Sequence, residues 1–261
     1  MAENKLEEHI IASGPFKWGA ATDKGRDRET NEDSFIIEAE AGLFLVADGM
    51  GGHRGGEIAS NIVVEDLSVM IETGLHRIKS KDPRSVRRVL KKAIIEQNEH
   101  LRLEGESESG YKEMGATLVA LVIKESRAFV ANLGDSRLYR LRKGTFTQIT
   151  RDHSIVSELL SKGKIQEHEA ESHEEQGVIT HYVGMEEKAE PHIRSFSLKK
   201  GDRLLLCTDG LTDMLDDKAI TEILSRPDEP QQICEELVKA ANKSGGHDNI
   251  TVVIIDWSGR N

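Results

Sequence analysis

Apolar positions along the chain fall into short clusters bounded by turn residues, and two spacings alternate among them. Runs of strand character occupy residues 34–38, 43–47, 116–123, 128–133, 137–142 and 146–149, then 192–197, 203–207 and 250–255. Helical stripes lie between these groups. Over residues 58–71, Ile62, Val63, Leu67, Met70 and Ile71 share one broad face. Pro83 opens a second helix, striped by Val86, Val89, Leu90, Ala93 and Ile94, and residues 216–224 and 230–241 give two more. From 116 to 149 the connections are too short for helical crossovers, so antiparallel pairing is expected there. This order predicts an α+β architecture, layered sheet with helices packed outside.

No repeat of 20 to 50 residues and no low-complexity linker divides the chain. One domain over residues 15–261 is expected, preceded by a polar tail, residues 1–14. Residues 161–190 lack periodicity, following a short helix capped by Gly163, and a polar excursion of that length is expected to be a functional flap.

Composition narrows the class. With 261 residues, 37% hydrophobic and 31% charged, the chain is globular and long enough for a sizeable core. Its net charge of −11 repels nucleic-acid phosphates and anionic lipid, so neither is expected as a partner. No apolar run approaches a membrane span, and the acidic amino end lacks a signal-peptide core, so a cytoplasmic location is expected. The charge is uneven, however: residues 77–92 hold eight Lys or Arg and a single Asp. Cys207 and Cys234 both sit in apolar patterns and read as core residues.

The informative feature is where certain acids sit. The apolar run 43–47 leads straight into Asp48-Gly49, and 204–207 leads through Thr208 into Asp209-Gly210. Glu32 and Asp33 precede one strand, and Asp248 precedes another. In antiparallel neighbours the end of one strand lies beside the start of the next, so one sheet rim gathers these five acids, with Asp135 as a sixth candidate. Ionised carboxylates in such number need cations to share a small volume. All-oxygen donors point to Mg²⁺ or Mn²⁺ rather than zinc. A single Asp-Gly after a strand is ordinarily just a turn; the repetition is what points to a metal site.

Read in full, these segments resemble the metal-dependent Ser/Thr protein phosphatases of the PPM or PP2C family, bacterial branch. The resemblance rests on eight motifs in order between Phe16 and Trp257: residues 22–33 around Arg28 and Asp33, Val46-Ala47-Asp48-Gly49-Met50-Gly51-Gly52-His53, residues 115–118, Asn132-Leu133-Gly134-Asp135-Ser136-Arg137, residues 152–154, residues 178–180, Cys207-Thr208-Asp209-Gly210, and Gly246-His247-Asp248-Asn249. It implies a four-layer α-β-β-α sandwich, two antiparallel sheets flanked by helices, and two Mn²⁺ or Mg²⁺ ions at one rim.

By that similarity Asp48 bridges the ions and the Gly49 carbonyl contacts one. Asp209 and Asp248 hold the first ion, Glu32 serves the second, and Asp33 orients the site. Asp135, with Asp209, matches a weaker third position. Arg28 matches the arginine that pairs with phosphate, a contact suited to a planar guanidinium. The implied activity is hydrolysis of phosphoserine or phosphothreonine in proteins, without a phosphoenzyme. The implied partners are phosphoproteins and a Ser/Thr kinase acting in opposition, and the chain is expected to be a monomer.

Two readings stand as alternatives: a catalytically silent member that only binds phosphoproteins, and a two-metal nuclease, which the acidic rim alone permits but the net charge disfavours. The sequence also departs from family patterns. Met50 stands where the animal branch has a histidine suited to protonating the leaving group, and His53 nearby reads as a loop-positioning residue. In the flap His181 follows Ile179-Thr180, where relatives carry Arg or Gln. His168 and His173 lie five apart, which does not match the four-residue spacing of a helical zinc motif. Arg84, Arg87, Arg88, Lys91 and Lys92 form one helical face opposite the apolar stripe, expected to be a solvated face, with docking of an acidic partner as the alternative.

Overall fold

The computed structural model describes residues 15–51, 55–78, 82–107, 114–170 and 173–259. The tail 1–14 and His53 lie outside the described residues, so those two expectations have no structural counterpart. In chain order the elements are β1 (Phe16–Asp23), β2 (Asp33–Glu38), β3 (Leu43–Met50), α1 (Gly55–Arg77), α2 (Pro83–Ser107), β4 (Gly115–Ala116), β5 (Leu118–Lys124), β6 (Arg127–Leu133), β7 (Arg137–Arg142), β8 (Thr145–Gln148), α3 (Ile155–Ser161), α4 (Glu167–Ala170), β9 (His192–Ser197), β10 (Asp202–Cys207), α5 (Asp209–Thr212), α6 (Asp217–Leu224), α7 (Pro230–Lys243) and β11 (Ile250–Trp257).

The strands form two antiparallel sheets. One has the order β1-β11-β10-β7-β8; the other runs β2-β3-β5-β6-β9, with β4 beside β3. Side chains alternate between two cores, as the two-residue period of a strand requires. Phe44 and Val46 of β3, Leu204 and Leu206 of β10, and Val253 and Ile255 of β11 meet between the sheets. Their neighbours Leu43, Leu45 and Ala47 face α1 and α2. Leu205, Cys207, Val252 and Ile254 face α5 to α7. Both faces of each sheet are therefore covered, which explains why these strands read as unbroken apolar runs. The expected α-β-β-α sandwich is what the chain forms.

Two local features differ from expectation. Residues 137–149 do pair antiparallel, as do 118–133, but β6 and β7 belong to different sheets. The corner Gly134-Asp135-Ser136 crosses between them, with Gly134 at φ +95°, a backbone state that favours glycine. β1, which is absent from the expected strands, sends Phe16, Trp18 and Ala20 into the core between the sheets; its Gly19 faces the other way and lets the α7 backbone approach, because a Cβ there would overlap Pro230 and Gln231.

Helix α2 starts as its sequence indicates, with the Asp82 carboxylate accepting from the Arg84 N–H (3.1 Å) and Pro83 in the first turn. Val86, Leu90, Ala93, Ile94 and Leu101 are buried, and the five basic residues lie exposed on the other side. Asn98 of this helix grips the flap. Its Oδ1 accepts from the Gly184 N–H (2.8 Å), and its Nδ2 donates to the Met185 carbonyl (3.1 Å). The flap's other foot is a bridge between Ser154 and Ile179, flanked by Thr180 N–H donating to the His153 carbonyl (2.8 Å). Both cysteines are free and buried, and burial pushes the Cys207 thiol up to about 12, so it is not a nucleophile.

Candidate metal centre

The rim takes shape where four strands end together. In the β2–β3 register Asp33 lies opposite Asp48. The Asp48 N–H donates to Thr117 Oγ1 (3.0 Å), its carbonyl accepts from the Thr117 N–H (2.8 Å), and Thr117 Oγ1 shares a 2.7 Å hydrogen bond with Ser136 Oγ. Thr117 and Ser136 thus fix the backbone on either side of the acids at 48 and 135. Past Asp48 the chain needs a glycine, because a Cβ on Gly49 would overlap the Gly56 carbonyl and lie 2.7 Å from the Glu32 carbonyl. A Cβ on Gly56 would lie 2.6 Å from Glu32 Oε2 and 2.8 Å from the Gly49 carbonyl oxygen. Those two oxygens therefore converge on the first turn of α1.

The other sheet joins through hydroxyls. Thr208 Oγ1 donates to Asp33 Oδ2 (2.9 Å) and accepts from the Thr251 N–H (3.0 Å), while Thr22 and Thr251 share a 2.7 Å hydroxyl contact. Asn249 anchors the loop that precedes β2. Its Oδ1 accepts from the Glu32 N–H (2.7 Å), and its Nδ2 donates to the carbonyls of Lys24 (3.0 Å) and Thr30 (2.9 Å). That loop delivers Arg28, whose Nη2 lies 2.6 Å from Asp248 Oδ2. Arg28 therefore stands at the rim, in contact with one of the acids it was expected to serve beside.

Electrostatics bind the group together. Burial, then repulsion from Asp33, Asp209, Asp248 and Asp135, holds the Asp48 carboxyl well above its usual range. Asp209 is raised likewise, by burial and then by Asp135, Asp213, Asp248 and Asp33. Burial lifts Asp33 to about 7, against the opposing hydrogen bonds of Thr251 and Thr208, and lifts Asp135 to about 6, with Asp152 adding repulsion. Glu32 is raised by burial, an effect that Arg28 offsets in part. The structure thus brings all six expected acids into one electrostatic group.

Among the described residues no three His, Cys, Asp or Glu side chains are drawn together tightly enough to hold an ion as they stand. The donor set nevertheless fits a hard divalent cation. Buried oxygens of Asp33, Asp135 and Asp209 have no hydrogen-bond partner, the donors are all oxygen, and the mutual repulsion is of the kind a cation relieves.

Beside the rim, a cavity of about 790 Å³ contains Asp135 and Asp209 and is walled by the flap at Gln176 and Gly177. Met50 lines a separate 720 Å³ cavity with Met114 and Tyr182. The His181 ring packs at a 45° tilt against His153, ring centroids 4.9 Å apart, and shares a 3.0 Å hydrogen bond with Thr180. Sequence reasoning missed the polar clamps Thr117, Ser136, Thr208, Asn249 and Thr251. For Ser136, Thr208 and Asn249 the available signal was a hydroxyl or amide residue next to a rim acid; Thr117 and Thr251 have no acid beside them in the sequence.

A family model described as protein phosphatase 2C matches residues 22–249. The serine/threonine phosphatase stp of Listeria welshimeri is 37% identical over 238 residues, 90% of this chain and 93% of that protein. Among solved structures, the Mycobacterium tuberculosis serine/threonine phosphatase PstP/Ppp superposes with a TM-score of 0.81 at 34% identity, covering 93% of this chain and 99% of that one. A catalytic domain of PstP in complex with two manganese ions gives a TM-score of 0.78 at 33% identity, covering 92% and 97%. The fold and rim define a class, and the matches name it. The chain belongs to the protein phosphatase 2C family.

Proposed function

We propose that this protein hydrolyses phosphoserine and phosphothreonine in proteins at a binuclear Mn²⁺ or Mg²⁺ centre, with no phosphoenzyme intermediate. The observation that carries the reading is the group of buried, mutually repelling carboxylates with unpartnered oxygens at one rim. Asp48 would be shared by the two ions; Asp209 and Asp248 would hold the first, and Glu32 would serve the second together with the Gly49 carbonyl, which converges with it on the first turn of α1. Asp33, held by Thr208 and opposite Asp48 in the β2–β3 pair, would orient the site. Asp135 with Asp209 would take a third ion. Such ions, when bound, lower the pKa of water enough for hydroxide attack on phosphorus at neutral pH.

The chain's own residues supply orientation. Arg28 binds two phosphoryl oxygens, exchanging its Asp248 contact for the phosphate, and Asn249 keeps the Arg28 loop against the rim. Met50 offers no proton, so the departing alkoxide takes its proton from water. The substrates are proteins phosphorylated by a Ser/Thr kinase in the same compartment. Among the described residues no helix is long and apolar enough to cross a membrane.

The test is phosphate release from a phosphothreonine peptide with Mn²⁺, with Mg²⁺ and with chelator, beside an Asp209→Asn variant. Metal-dependent turnover that falls by at least about 100-fold in the variant is expected. A folded protein that binds the phosphopeptide but releases no phosphate with either metal would instead mark a silent phosphoprotein-binding member.

A further inference from the structure

Helix α2 presents Arg84, Arg87, Arg88 and Lys91 at i, i+3, i+4 and i+7, one face about 10 Å long. All four are exposed, and none has a carboxylate partner among the described residues. Lys92, beside them, is bonded to Glu96 (3.3 Å). Unpaired cations in a row are notable on a chain whose net charge is −11.

The face does not end at the helix. Lys91 also lines a cavity of about 490 Å³ with Arg151, Lys162, His153 and His192. Its acids are largely committed: Glu158 bonds Lys162 (2.7 Å), and Asp152 bonds Arg137 (2.7 Å) and Gln148 (2.7 Å), leaving Glu190. Arg151 and Asp152 line this cavity and the larger one that holds Asp135 and Asp209. A basic track therefore leads from the exposed face of α2, past Lys91 and Arg151, to the acidic rim.

We propose that this track docks an acidic segment of the phosphoprotein substrate, on the amino or carboxyl side of the phosphorylated residue, while that residue occupies the rim. This rests on the phosphatase reading above. Its basis is charge complementarity, since a row of exposed cations without carboxylate partners among the described residues, on a chain of net charge −11, leads to the site. Docking contributes to encounter and binding and leaves the chemical step alone, so it acts on KM rather than kcat.

The experiment compares four substrates: a phosphothreonine peptide with neutral flanks, the same core extended by four Glu on its amino side, the same core extended by four Glu on its carboxyl side, and p-nitrophenyl phosphate. Wild type is expected to show kcat/KM on the order of tenfold higher for one acidic peptide than for the neutral one. The gain should come through KM and shrink as salt rises. R84E/R87E/R88E should erase that ratio and leave p-nitrophenyl phosphate turnover unchanged. A milder R84Q/R87Q/R88Q variant covers the case in which charge reversal impairs folding.

Equal kcat/KM for all peptides in wild type, or a ratio retained in both variants, overturns the proposal. So does arginine-dependent binding to phosphatidylserine vesicles without discrimination among peptides. If no substrate is turned over, the phosphatase reading fails separately. Fluorescence anisotropy of the labelled peptides then decides docking: tighter binding of an acidic peptide, lost in the variants, supports it, and equal binding overturns it.

Discussion

Replacing Thr208 by valine keeps the shape of a fully buried side chain and removes one hydroxyl. That hydroxyl donates to the Asp33 carboxylate and accepts from the Thr251 N–H, so it links the two sheets just below the rim acids. Its loss deprives a buried carboxylate of one donor, worth about 1.5–3 kcal/mol, and strands a backbone N–H at about 1–3 kcal/mol. Relaxation reduces the sum, and a net cost of roughly 3 kcal/mol is expected. For a chain of this size, with an unfolding entropy near 2.1 cal/mol/K per residue, that corresponds to about 5 °C in Tm. The assay is thermal unfolding in chelator, so that no metal contributes. Thr208→Ser is the control: it keeps the hydroxyl and loses a methyl, at about 1 kcal/mol. The order wild type, Ser, Val is expected. A Val variant within about 1 °C of wild type, or a Ser variant less stable than Val, refutes the idea that the hydroxyl carries the link.

Three further outcomes follow from the same geometry. Asp209→Asn removes a charge that burial and four neighbouring acids disfavour; in chelator at pH 8 it should raise Tm by about 2 °C, from roughly 1 kcal/mol of relieved repulsion, and an unchanged or lower Tm argues against that repulsion. His153 accepts from the Gly134 N–H through Nδ1 (3.2 Å), and burial, then His181 and His192, lowers it to about 4, so its contribution is whole above pH 6.5 and is lost as pH falls toward 4. Half-exposed as it is, it should account for about 1–2 kcal/mol between pH 7.5 and 4.5, read as a urea-midpoint loss larger in wild type than in His153→Gln; equal losses would show that the imidazole is not the sensor. Gly49→Ala forces a methyl into the Gly56 carbonyl, at a cost of about 3 kcal/mol or more, and a soluble variant with wild-type Tm would contradict the close approach.

The layers and the rim acids were legible because burial on both faces leaves apolar runs that stop abruptly at Asp48 and Asp209. Strand β1 was not, because its apolar face is only three residues, Phe16, Trp18 and Ala20, while its other face contributes absence of bulk, with Gly19 admitting α7. The β6–β7 pairing was misjudged for a geometric reason. A three-residue connection excludes a helix, but it serves equally for a hairpin or for a corner between stacked sheets. The Arg28–Asp248 contact spans 220 positions and joins two loops with no periodicity, so no local pattern could announce it. The threonine and asparagine clamps were hidden by ordinariness, since such residues read as turn formers until their partners across the seam are known.

The flap leaves and rejoins the body at almost one place, through the Ser154–Ile179 bridge and the Thr180–His153 hydrogen bond, with Asn98 holding the chain just beyond. An excursion whose two ends are pinned together can change length at little entropic cost, because closure depends only on the logarithm of its size. Insertions, deletions or wholesale replacement between those pins would leave the rim undisturbed. The architecture is therefore open to diversification in one segment alone, and new target preferences can arise there without renegotiating the chemistry.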